Sequence, residues 1–395
     1  MVPVTGRVLD AEEKGAARRR ILARLIQAWA VAAGAPFFLS GWWRASRASV
    51  DDQKLDVERG ATAMTFEQTD VFVSGTGGYH TYRIPAVVVT PSGTLLAFCE
   101  GRKYSAADDG DIDLLLRRSF DGGKTWEDVQ LLCDAGPHTA GNPAPVVDLE
   151  TGKVVLVFCV NNDSVWVTES GDDGATWSPP REITSQVKLP GWTWYATGPC
   201  HGIQLASGRL LIPCDHTGAS HVIYSDDHGQ TWKLGGSVAG GTNESVAVET
   251  VDGRVYINCR NTRENGRTHR AYAFSSDGGE SFGETRWHQE LIEPICQASA
   301  IRYTTEESHG KNRVLFSNPA SLKRERMTVR LSYDECQSWT TGRVIHFGPS
   351  AYSDLCVFSD GTIGCFYERG QYSPYERLTF ARFTLEWLTN GEDRL

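Results

Sequence analysis

Short runs rich in valine, leucine, isoleucine and phenylalanine recur along most of the chain, each ended by a polar turn that carries glycine. Examples are "TLLAFCEG" from Thr94, "DIDLLLRRS" from Asp111, "VVLVFCVN" from Val154, "RLLIPCDH" from Arg209 and "RVYINCRN" from Arg254. Runs of this length, bounded by turn residues, read as β-strands, many of them covered on both faces. The chain is therefore expected to be all-β.

A second pattern sits on the first. "SFDGGKTW" at Ser119 returns as "SGDDGATW" at Ser170, "SDDHGQTW" at Ser225, "SSDGGESF" at Ser275 and "SYDECQSW" at Ser332, so 50 to 57 residues separate successive copies. A fixed period of that size marks one supersecondary unit repeated. Ser and Asp bond nearby backbone N–H groups and Gly permits positive φ, so each copy predicts a tight turn between the last two strands of a unit. Residues 66–395 divided by a period of about 55 give six units. The expected architecture is a six-bladed β-propeller of four-stranded antiparallel blades, its last blade closed by joining the two ends of the domain. The copies are scaffold, and the last two depart from the pattern at Phe282 and Cys336.

Residues 1–60 read differently, as an N-terminal extension to a propeller spanning 61–395. Arg18–Arg20 precede an apolar stretch, in the manner of a signal or anchor segment with cleavage near Ala48. Arg24 and Gln27 interrupt it, and the unbroken run is shorter than the roughly 20 residues of a spanning helix. Cys99, Cys159, Cys214, Cys259 and Cys365 occupy equivalent places in strand-like segments and no C-x-x-C pair occurs. They read as buried free thiols, which favours a reducing compartment over secretion and gives no metal site. Composition is that of a globular protein, with 40% hydrophobic and 22% charged residues, and a net charge of −10 argues against a nucleic-acid partner. Oligomeric state is not legible.

If the repeats are scaffold, chemistry must come from charged residues that do not repeat. Arg83 precedes a strand in "YHTYRIPAVVV", and Arg102, Asp108 and Asp109 crowd a turn in "CEGRKYSAADDGDID". Glu244 opens a strand in "GTNESVAVE", Arg260 ends one in "VYINCRN", and "SNPASLKRERMTVRLS" supplies Arg324, Arg326 and Arg330. Tyr352 lies in "PSAYSDLCVF" and Glu368 in "GCFYERG". Taken singly, each has a plain structural reading: a surface ion-pair partner, a turn former or a core ring. His201 in "GPCHGIQL" reads as structural.

Together, "YRIP", the five boxes and "AYSDL" resemble the sialidase (neuraminidase) family over about Phe66 to Trp387. Either "YRIP" or one box alone would be unspecific; the combination is not. The resemblance implies a six-bladed propeller that acts without cofactor as a retaining exo-α-sialidase on sialylated oligosaccharides, glycoproteins or glycolipids. It maps a carboxylate-binding triad onto Arg83, Arg260 and Arg324, with Arg326 as rival to Arg324. It also maps the nucleophile and its base onto Tyr352 and Glu244, and the acid/base onto Asp108 with Asp109 adjacent. Arg102 then faces the sugar's 4-hydroxyl side, and Glu368 orients Arg83. Trp194 and Tyr195 in "WTWYATGPCHG" are further candidates for the pocket wall, and Cys200 stands where the family commonly has glycine.

The residue types suit that chemistry. A sugar carrying a carboxylate on its anomeric carbon needs fixed cations, and the planar arginine fork binds carboxylate in bidentate fashion. A carboxylate nucleophile would be repelled by that group, whereas a neutral phenol is not, given a neighbouring base. Tyrosine nucleophiles are the recognised sialidase exception to the two-carboxylate scheme. Two alternatives are a binding propeller that has lost catalysis and a trans-sialidase; the first would lack the tyrosine, glutamate or acid, and none is missing.

Overall fold

The computed structural model describes residues 65–395 except Asn265, so the basic–apolar segment lies outside the described residues. Helix is confined there to single turns such as Leu385–Leu388, and no helix among the described residues is long and apolar enough to cross a membrane.

Strand β1 is Phe66–Val73. The first sheet is β2 (Thr81–Val89), β3 (Leu95–Arg102), β4 (Ile112–Ser119) and β5 (Gln130–Cys133), and the second is β6 (Ala140–Val147), β7 (Val154–Val160), β8 (Ser164–Ser170) and β9 (Arg181–Glu182). In the third, two short strands, β10 (Tyr195–Thr197) and β11 (Ile203–Gln204), both pair with β12 (Leu210–His216), followed by β13 (Ala219–Ser225) and β14 (Lys233–Val238). The fourth holds β15 (Thr242–Glu249), β16 (Val255–Asn261), β17 (His269–Ser275) and β18 (Arg286–Ile292). The rest is one seven-stranded sheet of β19 (Ser299–Thr304), β20 (Arg313–Pro319), β21 (Glu325–Ser332), β22 (Arg343–Val357), β23 (Ile363–Arg369), β24 (Arg377–Phe383) and β1. All neighbours are antiparallel, and the sheets form a β-propeller.

Apolar side chains fill the spaces between sheets. Val71, Val87, Leu95, Phe366 and Phe380 form one such core where β1 and β24 meet the first sheet. The first strands lie innermost: β2 packs against β6 and β22, and β15 against β12 and β19. Cys99, Cys159, Cys214 and Cys259 each lie second in the order of their sheet and Cys365 lies on β23, all buried; all ten cysteines are free thiols.

Every box is the turn between third and fourth strands. In the first, Ser119 Oγ donates to Asp121 Oδ1 at 2.8 Å, Gly123 N donates to Ser119 Oγ at 2.9 Å, and Thr125 Oγ1 donates to Asp121 Oδ2 at 2.6 Å. Trp126 Nε1 closes the turn on Gly123 O, and its ring meets Phe380 edge-on at 5.7 Å. The glycine is required twice over: its φ is +85°, and a Cβ would come within 2.4 Å of Phe380. The fifth box keeps the Ser332, Cys336 N and Ser338 bonds, though not the tryptophan one, with Cys336 at φ +67°, a left-handed conformation that disfavours a side chain. Replacing Asp121 with Ala removes the acceptor of several bonds from a turn far from the inner strands. We expect it to lower stability by about 0.5–3 kcal/mol, read as the unfolding midpoint, and to leave KM unchanged.

Candidate active site

Four inner strands are bulged at one end. The register shifts between Arg83 and Ala86 on β2, Gly141 and Ala144 on β6, Thr242 and Ser245 on β15, and Ser350 and Ser353 on β22. Bulges turn side chains away from the regular alternation; Asn142, Glu244 and Tyr352 lie within them and Arg83 borders the first. Ile84, a β-branched residue at φ +60°, marks strain at this end of β2.

A cavity of about 260 Å³ opens among Ile84, Arg102, Asp108, Asn142, Glu244, Arg260, Tyr352, Trp194 and Asp215. A larger hollow of about 500 Å³ lies at the far ends of the same strands, walled by Val87–Val89, Val248 and Leu355–Val357. It is apolar and holds none of the candidate residues.

The tyrosine, glutamate and one arginine form a closed triangle. Tyr352 Oη donates to Glu244 Oε1 at 2.5 Å, and Arg260 NH1 reaches both Glu244 Oε2 at 2.6 Å and Tyr352 Oη at 2.9 Å. Burial, then the Glu244 charge, push the phenol well above its ordinary pKa, against the opposing pull of Arg260 and Arg324. Tyr352 is thus a neutral phenol whose proton already points at a carboxylate.

The other two arginines flank the ring. The guanidinium carbon of Arg83 lies 5.2 Å from the Tyr352 ring centre and that of Arg324 lies 5.4 Å from it. Arg326, two residues on, is exposed, so the "KRER" segment turns only its first arginine inward. Arg330 donates instead to the carbonyls of Thr340 and Thr341. Glu368 is fully buried: Oε1 accepts from Arg83 Nε at 2.6 Å and from Ile84 N, while Oε2 accepts from Tyr352 N. One carboxylate thus fixes both the strained end of β2 and the tyrosine backbone.

Asp108 stands at the tip of the β3–β4 loop with its side chain 79% exposed. Its Oδ1 accepts from Arg102 NH1 at 2.7 Å and lies 3.6 Å from Arg83 NH1. Partial burial raises its pKa, but Arg102, then Arg83 and Arg324, outweigh this and hold the carboxyl below its ordinary range. Asp109 makes no such contact with the arginines.

One expectation changes. Trp194 borders the cavity, but Tyr195 is fully buried in the core between the second and third sheets, because alternation on β10 points it away. Cys200 is not part of the cavity wall; it packs with Val246, Ala298 and Phe316. Its φ of +134° explains why glycine would be favoured there. His201 is structural, buried with Nδ1 2.7 Å from Asp354 Oδ1.

Some site residues were missed by sequence reasoning. Tyr375 stacks on Arg83 at 4.0 Å and accepts a hydrogen bond from Arg324 NH1 at 2.7 Å, joining two of the arginines. Nothing in "QYSPYERL" singles it out. Asp215 accepts from Trp194 Nε1 at 3.2 Å and Asn243 Nδ2 at 2.7 Å. Burial and the Glu244 charge push its carboxyl well above the ordinary range. An acid inside the apolar strand "LLIPCDH" was the available signal.

The family described as BNR repeat-like domain matches residues 93–365. The chain is 32% identical to an exo-alpha-sialidase of Arthroderma benhamiae over 82% of this chain and 87% of that protein. The chain belongs to the sialidase family. It is also 35% identical to a sialidase of Micromonospora viridifaciens, over 82% of its own length but only 54% of the relative's. Among solved structures, a Hadza microbial sialidase superposes with a TM-score of 0.75 at 30% identity, covering 81% of this chain and 69% of that one. The family's members are glycoside hydrolases.

Proposed function

We propose that the chain's exo-sialidase chemistry is retaining hydrolysis of terminal α-linked sialic acids through a covalent intermediate on Tyr352, carried by residues 61–395 as one catalytic unit. The observation that carries this is the Tyr352–Glu244–Arg260 triangle, with all three polar contacts between 2.5 and 2.9 Å.

Arg83, Arg260 and Arg324 hold the sugar carboxylate, with Glu368 and Tyr375 fixing their directions. The Tyr352 oxygen bonds to the anomeric carbon as the glycosidic bond breaks. The phenol proton passes to Glu244, and the leaving oxygen takes a proton from Asp108. Water then attacks the same carbon and gives a proton to Asp108, while the departing Tyr352 oxygen recovers its own from Glu244. Double displacement retains the anomeric configuration. Asp108 is held ionised in the free site by its arginines. A bound carboxylate offsets those charges, so proton affinity rises when substrate is present. Arg102 faces the 4-hydroxyl side of the sugar. The scheme calls on no cofactor.

Six blades support the site. Strand β22 pairs with β21 through Arg343–Pro349 and with β23 through Ser350–Val357. Counted at that division, the seven-stranded sheet is two blades of four, with β22 shared and β1 closing the last. The third and fourth strands of that last blade, β24 and β1, come from opposite ends of the domain. No turn joins them, which gives a reason for five boxes in six blades.

The test is release of fluorophore from an aryl α-sialoside, followed by proton NMR. Free sialic acid is expected first as the α-anomer. Initial release of the β-anomer would refute retention, and no release between pH 4 and 8 would refute the activity.

A further inference from the structure

The β3–β4 loop carries Asp108 on an exposed tip, held near by Arg102 NH1, which also donates to Ala106 O, yet proton donation demands a fixed carboxyl. The base of this loop contains a cluster that the catalytic scheme leaves unused. Lys103 Nζ lies 2.7 Å from Asp111 Oδ1, 3.2 Å from Asp113 Oδ2 and 3.7 Å from Asp134 Oδ2. Asp113 is almost fully buried on β4 and also accepts from Tyr79 Oη at 2.7 Å, while Asp134 follows β5. One ammonium therefore joins both arms of the loop to two further elements.

We infer that Lys103 is a positioning residue for Asp108, its ammonium holding together the three carboxylates at the base of the loop; this rests on Asp108 as the acid proposed above. One carboxylate oxygen from each of the three acids lies within 4.8 Å of the other two, so without a cation they repel. Asp113 is fixed in a strand and Asp111 is not. Removing the charge drives Asp111 outward, and Gly110, at φ +118°, passes the displacement towards Asp108. The bonds of Gly110 N and O to Thr139 Oγ1 act on the same side of the loop. Arg83, Arg260 and Arg324 stand on other elements, and Arg102, at the end of β3, has Glu100 contacts that do not involve Lys103.

Such a residue has a signature that general destabilisation lacks. A displaced acid slows the departure of a poor leaving group and hardly affects a good one. Lys103→Met is expected to lower kcat/KM on sialyllactose by about tenfold or more, part of the 10²–10⁴ that acid catalysis contributes. On a 4-methylumbelliferyl α-sialoside kcat/KM, which reports only the steps through departure of the leaving group, should change within about twofold, with affinity for an unsaturated sialic acid analogue retained. Lys103→Arg, which keeps a cation among the acids, should bring the ratio between substrates back towards wild type and carries the test if the Met variant fails to fold. Equal losses on both substrates, or no loss on either, would overturn the inference. Asp108→Asn measured alongside separates the two readings. If it too shows no dependence on leaving group, Asp108 is not the acid and the inference falls with it. If it shows the dependence and the lysine variants do not, only the role of Lys103 falls.

Discussion

Tyr352→Phe is expected to lower kcat by about 10³-fold or more, the scale on which loss of a nucleophile registers, while an unsaturated sialic acid analogue still binds. The substitution removes one oxygen. It leaves Arg83 and Arg324 beside the ring, and Glu368 still accepts from the backbone N–H of residue 352. Loss confined to turnover is what an interaction used in the transition state predicts. Glu244 and Arg260 keep their own 2.6 Å contact in the variant, so the clamp is not left with an unpaired charge. Isothermal titration with the analogue, beside steady-state kinetics, separates the two effects. A variant with near-normal turnover would remove Tyr352 from the mechanism.

Asp354→Ala is expected to act through the fold, by about 3–5 kcal/mol, as for a buried charge network left without one partner. Asp354 Oδ1 accepts from His201 Nδ1 at 2.7 Å and Ser299 Oγ at 2.7 Å, and Oδ2 accepts from Val87 N at 2.8 Å and His201 N at 3.1 Å. One carboxylate thus ties four inner segments around the axis. Burial lowers the His201 pKa, but Asp354 more than offsets this and raises it above the ordinary value. The stabilisation from this pair is therefore complete below the unfolded histidine pKa of about 6.5 and fades as pH rises through the higher folded value. Urea unfolding of the wild type and of Asp354→Asn across pH 5 to 9 checks both points. The gap between them should narrow towards alkaline pH, and a constant gap would contradict the pairing.

The "AYSDL" motif therefore contains two kinds of residue. Tyr352 serves the cavity and Asp354, two positions along the same bulged strand, serves the axis. From sequence the tyrosine was legible and the aspartate was not, because a buried acid paired with a distant histidine leaves no local periodicity. The boxes were legible because each is a closed local network that repeats. So was the inward choice of Arg324, by resemblance; its physical basis, Tyr375 and the carbonyl of Ile295, lies far away in sequence. The change of partner along β22, within the seven-stranded sheet, was hidden for a related reason: its fifteen residues pass from β21 to β23 at Pro349–Ser350 with no turn to mark it. Tyr195 was misjudged because its neighbour Trp194 does face the cavity, and adjacent residues of a strand point oppositely.

The proposed mechanism turns on a covalent bond from Tyr352 to the anomeric carbon. A 3-fluorinated sialosyl fluoride forms such an adduct quickly and releases it slowly, so proteolysis and mass spectrometry can locate it on the trapped enzyme. The adduct is expected on the peptide that carries Tyr352, on that side chain, and should be absent from Tyr352→Phe. An adduct on Glu244 or Asp108 would contradict the proposed chemistry.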